Sequence, residues 1–96
     1  MSLESSIADT FRRHAKRRGV WVVKMTPEGT AGLPDRICFA PYGRVALCEL
    51  KQPGKKAAPL QKRRVAQLRR LGFHAEVIDR AEDVPGFFDR WLEPSP

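Results

Sequence analysis

Two densely apolar segments, residues 35–40 and 44–50, dominate the middle of this 96-residue chain. They are joined by Pro41-Tyr42-Gly43, and a connection this short predicts an antiparallel hairpin. Because nearly every position in both segments is apolar, neither strand has a polar face to turn toward water. Other elements must therefore cover both faces, which predicts an α/β fold built on a central sheet.

The flanking elements follow from apolar spacing and from the positions of glycine and proline. Three helices are predicted. The first covers residues 3–18, the second runs from Pro59 until Gly72 ends it, and the third covers residues 81–91. Two further strands are predicted, over residues 20–25 and 73–78. The last helix is short and is expected to be interrupted by its proline and glycine, Pro85 and Gly86. The resulting order, α-β-β-β-α-β-α, describes a mixed sheet flanked by helices in one domain over residues 1–96.

The charge balance points to a polyanionic partner. Lys and Arg number 18 against 11 Asp and Glu, which gives a formal net charge of +7. A small basic domain gains binding free energy when it neutralises phosphates and releases their counterions. A basic surface that is merely solvated is the alternative.

Targeting signals and cysteine chemistry add little to this picture. The chain starts without an apolar leader and has no run of membrane-spanning length, so a cytoplasmic protein with no membrane partner is expected. Cys38 and Cys48 lack the spacing of a zinc site and are expected to be small buried apolar residues.

One pair of carboxylates falls together in the predicted hairpin. The three-residue turn pairs Ala40 with Arg44, which places Asp35 directly opposite Glu49. Cross-strand partners hold their Cβ atoms roughly 4.5–5.5 Å apart, so the two carboxylates repel each other unless a cation lies between them. Mg²⁺ suits such a pair because it prefers oxygen ligands and retains several waters. The alternative is two strand-end acids, one of them paired with Lys51.

Lys51 lies two residues after Glu49 and therefore projects from the same side of the sheet. An ammonium there could stabilise charge on a scissile phosphate, or position and deprotonate the attacking water. A surface lysine at a strand end is the alternative. The pair and the lysine together are the set that a metal-dependent phosphodiesterase requires.

These residues carry a family resemblance, which rests on Gly32-Leu33-Pro34-Asp35, Glu49-Leu50-Lys51, Pro53-Gly54-Lys55-Lys56 and Gln61. The chain resembles the VRR-NUC branch of the PD-(D/E)XK nucleases, from the first helix to the fourth strand. The resemblance implies a restriction endonuclease-like core in the order α-β-β-β-α-β. It also implies Mg²⁺- or Mn²⁺-dependent cleavage of DNA. Asp35 and Glu49 would bind the metal, the Leu50 carbonyl would add a ligand, and Lys51 would serve the reacting phosphate.

Further expectations come from the same resemblance. Small members look like bacterial or phage proteins, some acting as homodimers on branched DNA such as Holliday junctions, while larger members process flaps. The cytoplasm of a bacterium or of a phage-infected host is the expected location. An N-terminal acid that supports the metal would be Glu4. Equally, Glu4 could simply favour the helix dipole, or lie outside a helix that a capping box starts later.

The second long helix supplies the remaining site candidates. Gln61 lies on its inward arc, where the side chain could orient a metal-bound water or contact the DNA backbone. Candidates for phosphate contacts in and before this helix are Lys55, Lys56, Lys62, Arg63 and Arg64. A run of charge on a helix is more often just its solvated side.

The aromatic residues allow two interpretations. Trp21, Phe73, Phe87, Phe88 and Trp91 are expected in the core or in a dimer interface rather than as platforms for bases. The cluster in the last helix could serve a two-fold dimer or could cover the chain's own sheet.

The leading hypothesis is a metal-dependent, structure-selective DNA endonuclease that uses Asp35, Glu49, Lys51 and Gln61. The alternative is a non-catalytic basic DNA-binding module on a nuclease-like scaffold. A small interaction subunit that contacts an acidic protein is a third and weaker hypothesis.

Overall fold

The computed structural model describes residues 3–26 and 28–93, with side chains from Ser6 onward. The helices are α1 (Leu3–Arg17), α2 (Pro59–Arg70) and α3 (Val84–Leu92). The strands are β1 (Trp21–Lys24), β2 (Arg36–Ala40), β3 (Arg44–Leu50) and β4 (His74–Ile78). Short 3-10 turns lie at Pro41–Gly43 and Ala81–Asp83. The predicted order of elements is confirmed.

The four strands form one mixed sheet in the order β1-β2-β3-β4. The first three strands are antiparallel, and β4 runs parallel to β3 after the crossover through α2. In the central hairpin Ala40 pairs with Arg44 and Ile37 with Leu47, which is the predicted register. The hairpin therefore brings the start of β2 next to the end of β3.

Helices α1 and α3 cover one face of the sheet through a cluster of aromatic rings. Phe11 packs against Phe88 and Phe87, with ring centroids 4.9 and 5.3 Å apart. Phe87, Phe88 and Trp91 are buried, so the aromatic residues of the last helix cover the chain's own sheet. The expected interruption of this helix is wrong. Its proline lies in the first turn, where a missing N–H breaks no hydrogen bond.

Helix α2 covers the other face only over β3 and β4, where Val65 packs with Leu47 and Ala75. Trp21 on β1 lies beyond the helix and is 68% exposed, although its ring packs against Phe39 at 5.3 Å. Trp21 therefore does not lie in the core, and neither does the exposed Phe73.

Both cysteines are free and fully buried, as expected. Burial raises the pKa of the Cys38 thiol to about 12 and that of Cys48 well above its usual value. In the part of the chain that the structure describes, no helix has the length and apolarity needed to cross a bilayer.

Candidate active site

The turn that leads into β2 is held tightly against α2. Gly32 has φ +83°, and a Cβ on it would lie 2.7 Å from Leu60 Cγ and 3.1 Å from Arg64 Cγ. Arg64 Nε also donates a hydrogen bond of 3.1 Å to the carbonyl of Ala31. Only glycine accommodates both this backbone conformation and this approach. The turn thereby fixes Asp35, three residues later, relative to the helix.

Asp35 and Glu49 are linked through the main chain of each other's strand. The N–H of Asp35 donates to Glu49 Oε1 at 3.2 Å, and the N–H of Leu50 donates to Asp35 Oδ1 at 3.1 Å. The predicted opposition of these two carboxylates is therefore present. Glu49 is only 6% exposed, which is unusual for a carboxylate. The pair sits at a half-buried end of the sheet and not on an open surface.

The electrostatics of Glu49 reflect this position. Burial, together with the neighbouring Asp35 carboxylate, raises the pKa of Glu49 above its usual value. Lys51 opposes the shift, because its Nζ lies 3.1 Å from Glu49 Oε2. This ion pair is expected whether Lys51 serves catalysis or is only a partner for a strand-end acid.

Gln61 joins the start of α2 to the same carboxylate. Its Oε1 accepts a hydrogen bond of 2.8 Å from the N–H of Ala58, the residue that precedes the helix. This contact is the half of a capping box in which the third helical residue satisfies the N–H of the residue before the helix. Because the oxygen is engaged there, the amide nitrogen points to Glu49 and donates to Oε2 at 3.3 Å. Gln61 thus turns inward, as predicted, and presents a donor.

Arg36 is a site residue that the sequence analysis missed. Its Nη1 lies 2.8 Å from Asp35 Oδ2, and the residue is 9% exposed. The guanidinium gives Asp35 a cationic partner, just as Lys51 does for Glu49. The available signal was a single cation directly after the acid in an otherwise apolar strand. Such a charge is buried only when it is paired.

Comparisons with known proteins bear on the fold and the family. No family model matches the chain. Two solved structures superpose on it, a VRR-NUC domain and a VRR-NUC domain protein, with TM-scores of 0.85 and 0.75. The first is 23% identical and the match covers 95% of this chain and 99% of that one. The second is 22% identical, with 99% and 91% covered. These two likenesses establish the fold.

A sequence relative decides the family. The protein named "Putative nuclease p44", from Acyrthosiphon pisum secondary endosymbiont phage 1, is 34% identical over 76 residues. The match covers 79% of this chain and 82% of that protein. The chain belongs to the VRR-NUC family. The resemblance inferred from the motifs is thereby confirmed.

In this VRR-NUC domain the carboxylate pair has oxygen atoms suited to a divalent cation. Asp35 Oδ1, Asp35 Oδ2 and Glu49 Oε1 each accept one hydrogen bond from the described residues. A carboxylate oxygen has two lone pairs, so each retains one for a metal. The described residues contain no cluster of three or more His, Cys, Asp or Glu. A magnesium site with two carboxylates and several waters fits this donor set.

Two further predicted metal ligands, Leu50 and Glu4, stay predictions. Leu50 contacts Asp35 through its N–H, and ligation by its carbonyl stays a prediction. The side chain of Glu4 lies outside the described residues, so its assignment also stays a prediction.

The predicted phosphate contacts of the VRR-NUC domain divide into two groups. Lys55, Lys56, Lys62 and Arg63 are exposed, around the start of α2 and the loop before it. Arg64 is partly buried and is held by Ala31 and by Gln67, whose Oε1 lies 3.2 Å from its Nη1. The structure therefore gives Arg64 a role in fixing the turn before Asp35, and its contact with DNA stays a prediction.

Proposed function

We propose that this protein is a Mg²⁺- or Mn²⁺-dependent DNA endonuclease that hydrolyses phosphodiester bonds. The observation that carries the proposal is the convergence of two carboxylates, an ammonium and an amide donor at one end of the sheet. Asp35, Glu49, Lys51 and Gln61 come from three elements and are linked by hydrogen bonds or ion pairs of 3.3 Å or less. Membership of the VRR-NUC family supports the same chemistry.

Asp35 and Glu49 would hold the metal, with the Leu50 carbonyl as a further ligand. A bound Mg²⁺ or Mn²⁺ polarises the phosphate and lowers the pKa of the attacking water. Lys51 supplies positive charge beside Glu49, where the phosphate gains negative charge as the reaction proceeds. Gln61 orients Glu49 through its amide nitrogen. The site is rigid because main-chain donors hold both carboxylates.

The substrate and assembly follow from size and charge. A net charge of +7 favours DNA, and a small basic domain without a sequence-reading motif suits recognition of DNA structure. We infer that branched or flap DNA, including Holliday junctions, is the preferred substrate. A homodimer would place two sites on two equivalent strands. A cytoplasmic location in a bacterium or a phage-infected cell belongs to the same proposal.

One observation favours a second candidate, a non-catalytic DNA-binding module. Each carboxylate already has a cationic partner within the chain, since Asp35 pairs with Arg36 and Glu49 with Lys51. Such pairs would also hold two acids that do no chemistry. The basic surface would then bind DNA without cutting it.

Cleavage assays separate the two candidates. Purified protein is incubated with labelled four-way junction, flap and duplex DNA in Mg²⁺, Mn²⁺ or EDTA. Glu49→Gln is run beside Glu93→Gln, a control with the same chemical change, because Glu93 also forms an ion pair, with Arg18, but lies in the C-terminal segment. Metal-dependent cutting by the wild type and by Glu93→Gln, and none by Glu49→Gln, supports the nuclease. Binding without cutting under every condition favours the module.

A further inference from the structure

A basic cavity lies at the end of the sheet opposite to the carboxylate pair. It has a volume of about 520 Å³ and opens between the Pro41–Gly43 turn and the turn that joins α2 to β4. Its ionisable lining consists of Arg44, Arg69, His74 and Arg90. We call this cavity, lined by three arginines and one histidine, the arginine pocket. Nothing in the proposed cleavage chemistry uses it.

Two of its guanidinium groups are held in place by backbone carbonyls. Arg44 Nε donates to the carbonyl of Pro41 at 3.0 Å, and its Nη1 donates to that of Leu92 at 3.4 Å. Arg69 Nε donates to the carbonyl of Ala75 at 2.8 Å. A carbonyl orients a guanidinium without neutralising its charge. Donors on the Nη atoms therefore stay available in fixed positions, as bidentate phosphate binding requires.

The charge of the pocket comes mainly from these two residues. Arg90 is different, because it forms a two-pronged ion pair with Glu76 at 2.7 and 3.0 Å. His74 contacts the same carboxylate at 2.6 Å. Among the described residues, neither Arg44 nor Arg69 has a carboxylate within ion-pair distance. The pocket thus has two oriented cations without a counter-charge.

The position of the pocket suits a DNA strand that reaches the carboxylate pair. Arg44 and Glu49 lie on the same strand, five residues apart. At about 3.3 Å per residue this separation is about 17 Å. The phosphates of one strand wind around the duplex, with about 10 per turn, so a straight separation of this size spans only a few nucleotides. The exposed basic side chains of α2 lie between the two ends.

We propose that the arginine pocket binds a backbone phosphate of the DNA strand that reaches the carboxylate pair, a few nucleotides away from that pair. The inference rests on the proposed function and adds to it a contact that sets the direction of a duplex arm. A substrate arm must then extend at least that far to be fully bound. The pocket contributes affinity and register, and the chemical step does not depend on it.

Salt-dependent binding tests the pocket without cleavage. The Kd for a labelled duplex is measured in EDTA from about 50 to 200 mM salt, for wild type, Arg44→Gln, Arg69→Gln and Arg13→Gln. Arg13→Gln removes the same charge from an exposed position of α1, which contributes no residue to the pocket, and is the matched control. We expect both pocket variants to bind about tenfold more weakly, with a slope of log K against log salt smaller by about 1. If their slope and Kd equal those of the control, the proposal is overturned.

A substrate series gives a second test, in which the DNA is changed first and the pocket second. Single neutral methylphosphonates replace successive phosphates on one side of a mapped cleavage site, and wild-type binding is measured for each. Weakened binding is expected at one phosphate a few nucleotides from the cleavage site, and Arg69→Gln, on an exposed helix face, should lose that sensitivity. Equal binding along the series overturns the proposal. A wild type that binds but never cuts overturns the nuclease alone, and one that does not bind DNA overturns both.

Discussion

The backbone N–H of Asp35 donates to Glu49 Oε1 across 3.2 Å, so one acid of the pair is held by the main chain of the other. The N–H of Leu50 returns a hydrogen bond of 3.1 Å to Asp35 Oδ1. Each acid also has a side-chain cation beside it, Arg36 or Lys51. These contacts offset the repulsion and desolvation of two close carboxylates. This arrangement and its surroundings lead to four expectations that can be measured.

Glu49→Gln should lower kcat for DNA cleavage by more than about a hundredfold, because the amide cannot supply the charge that a metal ligand needs. DNA affinity in EDTA should change little, since the side chain is buried. Single-turnover cleavage and anisotropy measure the two effects. Cleavage by this variant at the wild-type rate, in a preparation free of host nucleases, would falsify the assignment.

Lys51→Ala should depress turnover by about a hundredfold or more while KM changes little, because the ammonium acts on charge that develops during reaction. The exposed Lys56 provides the comparison. Lys56→Ala should raise KM and leave kcat near the wild-type value, as expected for uniform binding of DNA. Steady-state kinetics on one substrate separate the two patterns. A wild-type kcat for Lys51→Ala removes this residue from the mechanism.

Gly32→Ala should lower the free energy of unfolding by about 2–4 kcal/mol, because it combines backbone strain with overpacking. The added Cβ would lie 2.7 Å from Leu60 at φ +83°. Gly19→Ala is the matched control, since Gly19 has φ +70° and nothing within 4 Å of a built Cβ. Gly19→Ala should lower the free energy of unfolding only through backbone strain, by about 1 kcal/mol. Urea unfolding measures both, and equal losses contradict a packing role for Gly32.

Glu76 should make stability depend on pH. Burial by itself would raise the pKa of Glu76, but hydrogen bonds from Arg90 and His74 outweigh it and lower the pKa. A carboxyl whose folded pKa is depressed stabilises the fold above its unfolded pKa, about 4.3, and loses that contribution as pH falls through the folded value.

Glu76→Gln should therefore be less stable than wild type near neutral pH and approach it below about pH 4. Thermal unfolding across that range measures the difference. Glu93→Gln serves as the control at an exposed glutamate and should show a smaller pH-dependent difference. A difference in thermal stability between Glu76→Gln and wild type that does not change with pH would contradict the role of Glu76 in the pH dependence.

Much of the site could be predicted because it is built from local rules. A three-residue turn and strict alternation place Asp35 opposite Glu49 and put Lys51 on the same side. Both features depend on residues close in sequence, so the register follows without knowledge of the rest of the fold. The inward position of Gln61 follows in the same way from helical periodicity.

The sequence by itself determined the order of elements, the hairpin register and the composition of the acidic pair, since turn length and residue periodicity specify them. Only the tertiary structure decided that Arg36 pairs with Asp35, that Gln61 caps its own helix, and that the last aromatic residues cover the sheet. It alone brought Arg44 and Arg69 to one cavity. Asp35 and Arg36, like Ala58 and Gln61, are close in sequence, but the partner that each side chain takes depends on the packing around it. The other contacts join elements far apart in the chain, and no local pattern encodes them.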